Sequence, residues 1–491
     1  MGCGRRRTTT DARRAAPPSN LPARGCPLSV PLTESPGTLR PLLRLAVPVL
    51  VEQFLLMLVG FSDTILTGHY LEQDHLAAMN LMAYVLWLSF GMFAAVSIGA
   101  TAMVARFVGA GDRASARTAT GQAMLLGGAL AAVVTLVGCF MAGRLPGLMQ
   151  MTGEPARLAT VYLWFIVPVL PMIMIEAVGV ACLRGAGDMV GGLAVMAATN
   201  AVNIGVSWTL VLGPGPIPEL GWIGIATGTA CGHTFGALLV LAMLARGRAG
   251  LSVPWRRLRP HGDLIRRLLR IGVPGGMDTL LIISCHFWFV TIINRLGPLA
   301  SAAHGVAIRI ESLAFLSGAA FQVAATTTAG QYLGAGDYRR AGRSVVWACV
   351  VGGGVMTAAG ALFFAFPLSL ASVFVRSGQL DVARQAVPLL QIVAVAMPAF
   401  SITMILSGAL RGAGDTRWPL IFSLIGFTAV RIPLAHWFAF EQLSLFDGAW
   451  TIEGWGLGVA GAWYGMFIDL HVRAALILYR FFHGGWKRVK V

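Results

Sequence analysis

Apolar runs long enough to cross a bilayer, each closed by a short polar turn, recur along nearly the whole chain. They fall at residues 45–70, 77–105, 119–142, 158–183, 189–212 and 222–245, then at 268–294, 299–330, 344–374, 385–410, 418–440 and 455–481. About 20 residues of helix cover a hydrocarbon core of roughly 30 Å, so each run predicts one transmembrane helix. Strands of a membrane barrel would alternate over short segments instead, and these runs do not alternate. The expected fold is an all-α polytopic membrane protein of 12 helices.

Composition agrees. Of 491 residues 56% are hydrophobic and 12% charged, with mean hydropathy +0.73, too little charge to clothe a soluble protein of this size. The formal charge of +16 invites a nucleic-acid reading until its placement is followed. Of the 37 Lys and Arg, 29 lie in the N-terminal tail, in the loops after even-numbered spans, and at the C-terminal end, counting Arg270 and Arg480 at the adjoining ends of their spans. The other loops hold only Arg144, Arg157, Arg295, Arg376 and Arg384, and carry Glu72, Asp74, Glu219, Glu441, Asp447 and Glu453. That is the positive-inside pattern, with both termini cytoplasmic in the plasma (bacterial inner) membrane. The charge reports topology, and no nucleic-acid partner is expected.

Residues 1–37 lack apolar periodicity and read as a disordered cytoplasmic tail, without the apolar core of a signal peptide or a myristoylation motif. The seven cysteines show neither metal nor disulfide spacing.

The chain repeats itself. Leu42-Leu43-Arg44-Leu45-Ala46-Val47-Pro48 returns as Leu268-Leu269-Arg270-Ile271-Gly272-Val273-Pro274, at an offset of 226. Gly109-Ala110-Gly111-Asp112 returns as Gly334-Ala335-Gly336-Asp337, and Leu183-Arg184-Gly185-Ala186-Gly187-Asp188 as Leu410-Arg411-Gly412-Ala413-Gly414-Asp415. Three ordered motifs in one register define two lobes, 38–245 and 268–481, joined by a basic linker 246–267 and followed by a cytoplasmic end, 482–491. Six spans per lobe place both lobes in the same orientation, with a cavity expected between them. In the Gly-Ala-Gly-Asp turns, glycine suits a helix C-cap and aspartate the next N-cap. Arg184 and Arg411 close their helices at the negative end of the dipole.

Ionisable residues inside spans are costly and mark sites of function. Glu52 and Asp63 are 11 residues apart in helix 1, about three turns, on nearly one face. Glu52 stands four residues after Pro48, as Asp278 does after Pro274. Asp63 has no twin, since its counterpart is Phe289. It is read as an ion- or proton-coupling group, or as a buried hydrogen-bonding one. Arg309 and Glu311 point about 200° apart and need separate partners, for Arg309 either Asp278 or Glu52. They belong to an ion network or to substrate binding. Asp469 and Arg473, four apart, suit a local salt bridge, and Arg431 before Pro433 a helix-breaking anchor. His286, His304 and His471 read as histidines held by ordinary hydrogen bonds.

The motifs also carry a resemblance. Pro48 to Glu52-Gln53, with Gly60-Phe61-Ser62-Asp63-Thr64, resembles helix 1 of the multidrug and toxic compound extrusion (MATE) family. So do Ala303-His304-Gly305, Arg309-Ile310-Glu311-Ser312-Leu313, Gly330 to Gly336 and Gly458-Val459-Ala460-Gly461. The resemblance implies two six-helix bundles in a V and antiport of amphipathic, usually cationic compounds against H+ or Na+. Asp63 matches the family's helix 1 aspartate, Asn203 the helix 5 amide and Thr229 the helix 6 hydroxyl. Ser207 stands where a second acid would be. A branch with acids in helices 7 and 10 is not matched, with Ile282 near the first position and no acid in helix 10.

Coupling is therefore expected at Asp63, Asn203, Ser207 and Thr229, with Na+ at Asp63 as the one metal option and no other cofactor. Glu52, Gln53, Asp278, Arg309 and Glu311 form the expected cavity or charge network, and Pro48 and Pro274 the hinges. Partners are small molecules and lipid, and the chain is expected to be a monomer. A lipid-linked precursor flippase of the same superfamily is the alternative. A major-facilitator carrier lacks its basic motif between helices 2 and 3. An enzyme is not expected, since no catalytic constellation occurs at catalytic spacing.

Overall fold

The computed structural model describes residues 36–253, 259–375, 379–445 and 450–489. The expected tail falls outside these up to residue 35, as do Arg376 and Asp447. Twelve long helices lie on the 12 expected spans. The first half comprises α1 (Leu39–Tyr70), α2 (Gln73–Gly109), α3 (Arg113–Met141), α4 (Gly153–Gly185), α5 (Met189–Leu212) and α6 (Trp222–Ala245). The second comprises α7 (Gly262–Arg295), α8 (Pro298–Gly334), α9 (Tyr338–Ala365), α10 (Leu380–Gly412), α11 (Arg417–Ala439) and α12 (Gly458–His483). A 3-10 turn at Val167–Val169 interrupts α4, where Pro168 removes a ladder donor. A π-helical stretch, Ile425–Arg431, widens α11. One short antiparallel hairpin, Gln442–Leu445 with Trp450–Glu453, lies in the loop before α12 of the all-helical fold.

Four turns of one design close the end of the bundle that carries most of the arginines, hereafter the basic end. In each, the aspartate amide donates back to a carbonyl five residues earlier: Asp112 to Phe107, Asp188 to Leu183, Asp337 to Tyr332 and Asp415 to Leu410. The preceding glycine takes a positive φ, between 75° and 88° over the four copies. This Schellman geometry favours a residue without Cβ. Asp112, Asp188 and Asp337 then cap the next helix, accepting from the amides of Ser115, Gly191 and Arg340 at 2.8–2.9 Å. Hydrogen bonds from Ser115 hold the Asp112 carboxyl below the usual carboxylate range. Asp415 breaks the pattern: it takes two hydrogen bonds from the Arg480 guanidinium, at 2.8 and 3.0 Å.

The two halves exchange the starts of their first helices. Leu42, Leu45, Ala46 and Val49 of α1 are buried in a cluster with Ala320, Ala324 and Ala325 of α8 and with residues of α9, α10 and α12. Leu268 and Ile271 of α7 join the core of the first half in the same way. Small residues let the backbones meet, which is how helices associate where lipid removes the hydrophobic drive. A Cβ on Gly272 would stand 1.9 Å from the Ala95 carbonyl oxygen, and one on Gly109 2.0 Å from that of Gln331.

Polar clasps finish this junction. Thr327 and Gln331 of α8 donate to the last carbonyls of α4, at Arg184 (3.0 Å) and Gly185 (2.9 Å). Arg106 at the end of α2 donates to Ala413 (3.0 Å) and Val489 (2.7 Å). The linker after α6 is packed too, with Leu251 and Val253 buried in the first half. Further along α1, no residue between Glu52 and Leu66 is buried. α1 is therefore anchored at the basic end and loosely held from there until Leu66 and Thr67, which are buried again.

Gly272→Ala is expected to cost about 1–3 kcal/mol, because overpacking against backbone cannot relax through a rotamer. Gly305→Ala, with nothing within 4 Å of its added Cβ, should gain up to about 1 kcal/mol of helix propensity instead. Detergent melting curves of the two variants against wild type check the contrast.

Candidate functional site

Charge enters the bundle first at two twin ion pairs near the basic end. Glu52, almost fully buried, pairs with Arg184. Asp278, equally buried, pairs with Arg411 at 2.5 Å. The acids four residues past the prolines therefore meet the arginines that end α4 and α10. The expectation that Arg309 neutralises one of them is corrected. Arg309 lies in the first third of α8, toward the end opposite the basic one, and its side chain is exposed. Each arginine thus does more than meet a helix dipole. It balances a buried carboxylate and ties the first helix back to its own half. Gln53 and Pro48 are half-buried beside this pair, and Pro48 and Pro274 both lie within unbroken helices.

Beyond Glu52 the first half holds a ladder of buried polar groups along α5. Asn203 donates to the Thr229 hydroxyl at 3.2 Å, and Thr229 donates to the Ile225 carbonyl at 3.2 Å. Since a hydroxyl has one proton to give, the Tyr162 phenol, 3.1 Å away, is the donor in its bond to Thr229. Ser207, fully buried one turn beyond Asn203, packs on Gly228, beside Thr229. Asp63 belongs to the same region. It lies within electrostatic reach of the Tyr162 phenol, and its neighbour Ser62 accepts from Trp208 of α5 at 2.9 Å.

Three buried oxygens here have no protein partner: Asp63 Oδ1, Asn203 Oδ1 and Ser207 Oγ. Buried acceptors are normally satisfied, so such a set is suited to a proton, a cation or water. The structure thus gathers Asn203 and Thr229 as expected, with Ser207 a turn away and Asp63 on the facing helix. Tyr162 is an addition that the sequence did not single out.

A second constellation lies one turn nearer the basic end. Thr199 donates to Glu176 Oε1 at 2.7 Å, and His233 Nδ1 lies 2.8 Å from Glu176 Oε2. Glu176 and His233 are ionisable residues inside apolar runs, which is itself a signal. They belong to no motif or repeat, so nothing in the pattern drew attention to them.

The second half is different. Asp469 is fully buried between two arginines, with Arg473 bidentate at 2.8 Å and Arg431 at 2.7 Å. The expected local salt bridge exists, and Arg431 joins it. Both guanidinium groups stand over the Phe427 ring, at 5.1 and 4.3 Å from its centroid. Arg431 therefore fastens the π-helical stretch to α12 and does not break α11. Glu311 is buried, with Oε2 unpartnered. His304 accepts from the Trp463 indole at 3.2 Å and stacks obliquely on Phe289.

Removing one partner of the Glu52–Arg184 pair leaves a buried charge, so Arg184→Gln should cost about 3–5 kcal/mol. Arg184→Gln together with Glu52→Gln should recover most of that loss. A double-mutant cycle on melting temperature reads the coupling, and additive losses would sink the pair.

The MatE family profile matches residues 48–209 and 274–437, one stretch in each half. The chain is similar to "Probable multidrug resistance protein NorM" of Thermotoga maritima, 28% identical over 463 residues, covering 94% of this chain and 95% of the relative. It is 27% identical to the protein of the same description from Rhizobium meliloti, covering 91% and 94%. Among solved structures it resembles the "Outward-facing conformation of a multidrug resistance MATE family transporter of the MOP superfamily", with TM-score 0.80, 20% identity, and 92% and 97% covered. It likewise resembles a MOP superfamily transporter from Pyrococcus furiosus, described as having reverse polarity of its binding pocket, with TM-score 0.82, 20% identity, and 93% and 98% covered.

Proposed function

Because this chain belongs to the MatE family of efflux transporters, we propose that it is a secondary antiporter for amphipathic, cationic small molecules, driven by H+ or Na+. The family is one of transporters and not of enzymes. The observation that carries the coupling reading is the set of three unpartnered oxygens at Asp63, Asn203 and Ser207. A carboxylate oxygen buried without a partner is costly unless a proton or cation balances it. Loading Asp63 removes that cost, and unloading restores a negative charge that attracts a cationic substrate.

The arginine distribution supports a cytoplasmic basic end. With that end shut by the glycine contacts and the Thr327, Gln331 and Arg106 clasps, the structure suits the state open to the opposite side. α1 is the element suited to respond. Its first turns are fixed in the second half, while the stretch carrying Asp63 has no buried neighbours on its own helix between Glu52 and Leu66. Pro48 stands where the two regimes meet and removes one ladder hydrogen bond. Loading at Asp63 thus acts on the part of α1 that moves at least cost, and the bend reaches the gate through Pro48. Coupling of this kind is worth about 1–3 kcal/mol, or roughly 5–150-fold in affinity.

Purified protein in liposomes, given a fluorescent cationic dye and an imposed H+ or Na+ gradient, tests this reading. Accumulation should follow one gradient, which names the ion, and should vanish in Asp63→Asn. Undiminished gradient-driven accumulation by that variant would take Asp63 out of the coupling role.

A further inference from the structure

The Glu176–His233 constellation is not used by the coupling site above, and its geometry assigns it a task. Both carboxylate oxygens of Glu176 accept a hydrogen bond, Oε1 from Thr199 and Oε2 from His233 Nδ1. Two donors on two oxygens fit the ionised carboxylate, and they fix the imidazole tautomer with its proton on Nδ1. The free nitrogen is therefore Nε2. The Glu176 side chain is 4% exposed and that of His233 15%, so the carboxylate is sealed while the ring keeps an open edge. The ring lies 6.2 Å from that of Phe90 of α2.

We infer that His233, oriented by Glu176 and Thr199, is a second proton-binding site of the first half, in series with Asp63. The reaction is a simple protonation. A proton from water adds to the Nε2 lone pair, neutral imidazole becomes imidazolium, and the pair changes from charge −1 to 0. No other bond forms or breaks, and release is the reverse.

The surroundings suit a relay. On α5, Thr199 stands four residues before Asn203, about 6 Å along the axis. Gly192, packed near both Glu52 and Arg184, stands seven before Thr199, about 10 Å. Three ionisable stations thus follow one helix: Asp63 with Tyr162, then Glu176–His233, then Glu52–Arg184. Against the middle station α2 presents the Phe90 ring and α5 the Thr199 hydroxyl. α4 and α6 present the pair itself, and among the described residues neither member forms another ion pair. Gly236 of α6 is part of the construction. A Cβ there would meet Thr199 Oγ1 at 2.1 Å and Glu176 Oε1 at 2.6 Å, so glycine leaves the room that the pair occupies.

The inference rests on the antiport reading, and its test separates the two. In full-length protein labelled with ¹⁵N-histidine in lipid nanodiscs, the His233 signal is the one absent from His233→Asn. With spectra taken from about pH 8 to pH 5, it should pass from the Nδ1-protonated tautomer to imidazolium as protons are added. The midpoint should change in Glu176→Gln and persist in Asp63→Asn. A His233 signal that does not move over this range, or that titrates identically in Glu176→Gln, overturns the site.

In liposomes, proton-driven dye accumulation by His233→Asn should fall about tenfold, within the range of coupling between two sites. Its dependence on pH should flatten as well. Wild-type rate and pH profile in His233→Asn would overturn the relay. If His233→Asn melts early, Glu176→Gln carries the same transport comparison. Should wild type move no dye under any gradient, the antiport reading fails, while the ¹⁵N titration still decides the proton site.

Discussion

The exchange of first turns between the halves is the constraint on which the rest hangs. The start of α1 is core to the second half and the start of α7 is core to the first. In lipid, helices gain little from hiding apolar surface from one another, so contact depends on close fit and on hydrogen bonds. The glycines at 99, 109, 272 and 334 supply that fit by letting backbone meet backbone. An interface built this way has no soft side chains to absorb a small displacement. It is either seated or apart, which gives two discrete arrangements. The ion pairs at Glu52 and Asp278 then act as return ties. Each first helix leaves the opposite half, passes its proline, and is fastened to its own half within one turn.

The same scaffold carries unlike chemistry in its two copies. Matching Gly224-Ile225-Ala226 to Gly458-Val459-Ala460 places Trp463 opposite Thr229 and Phe467 opposite His233. The other offsets place Phe289 opposite Asp63 and Thr403 opposite Glu176. The interior that is polar and acidic in the first half is thus aromatic in the second, where Phe289, His304 and Trp463 pack together. The second half keeps its charge elsewhere, at Glu311 and at Asp469, the latter locked by two arginines. A locked triad is built to hold a shape, whereas unpartnered oxygens are built to receive something.

Much of this was readable in the chain because membrane spans and repeats are long-range periodic signals. All 12 helices lie where apolar length puts them, and the turn motifs became four copies of one hydrogen-bonded design. Partners were harder to read. Arg309 looked free to meet Asp278, since depth in the bundle is lost when sequence is read as faces of single helices. Arg184 and Arg411, treated as helix ends, turned out to be the partners, which requires knowing that α4 reaches α1. Tyr162 and Glu176 sit on α4 and His233 on α6, helices that converge only in the fold. The swapped first turns left no trace in the apolar pattern, because a helix buried in its own half and one buried in the other look alike.

The four basic-end turns differ in one respect that bears on how the chain is assembled as it emerges. At Asp112, Asp188 and Asp337 the cap is closed by an amide three residues on, so each turn can be complete while its own hairpin is being inserted. Asp415 instead waits for Arg480, 65 residues later, at the far end of the last helix. Its carboxyl, raised by burial and countered by that arginine, lacks its partner until α12 is in place. Synthesis therefore leaves three of the four turns capped early while the fourth stays open at one corner. The last helix to be made is the one that closes it.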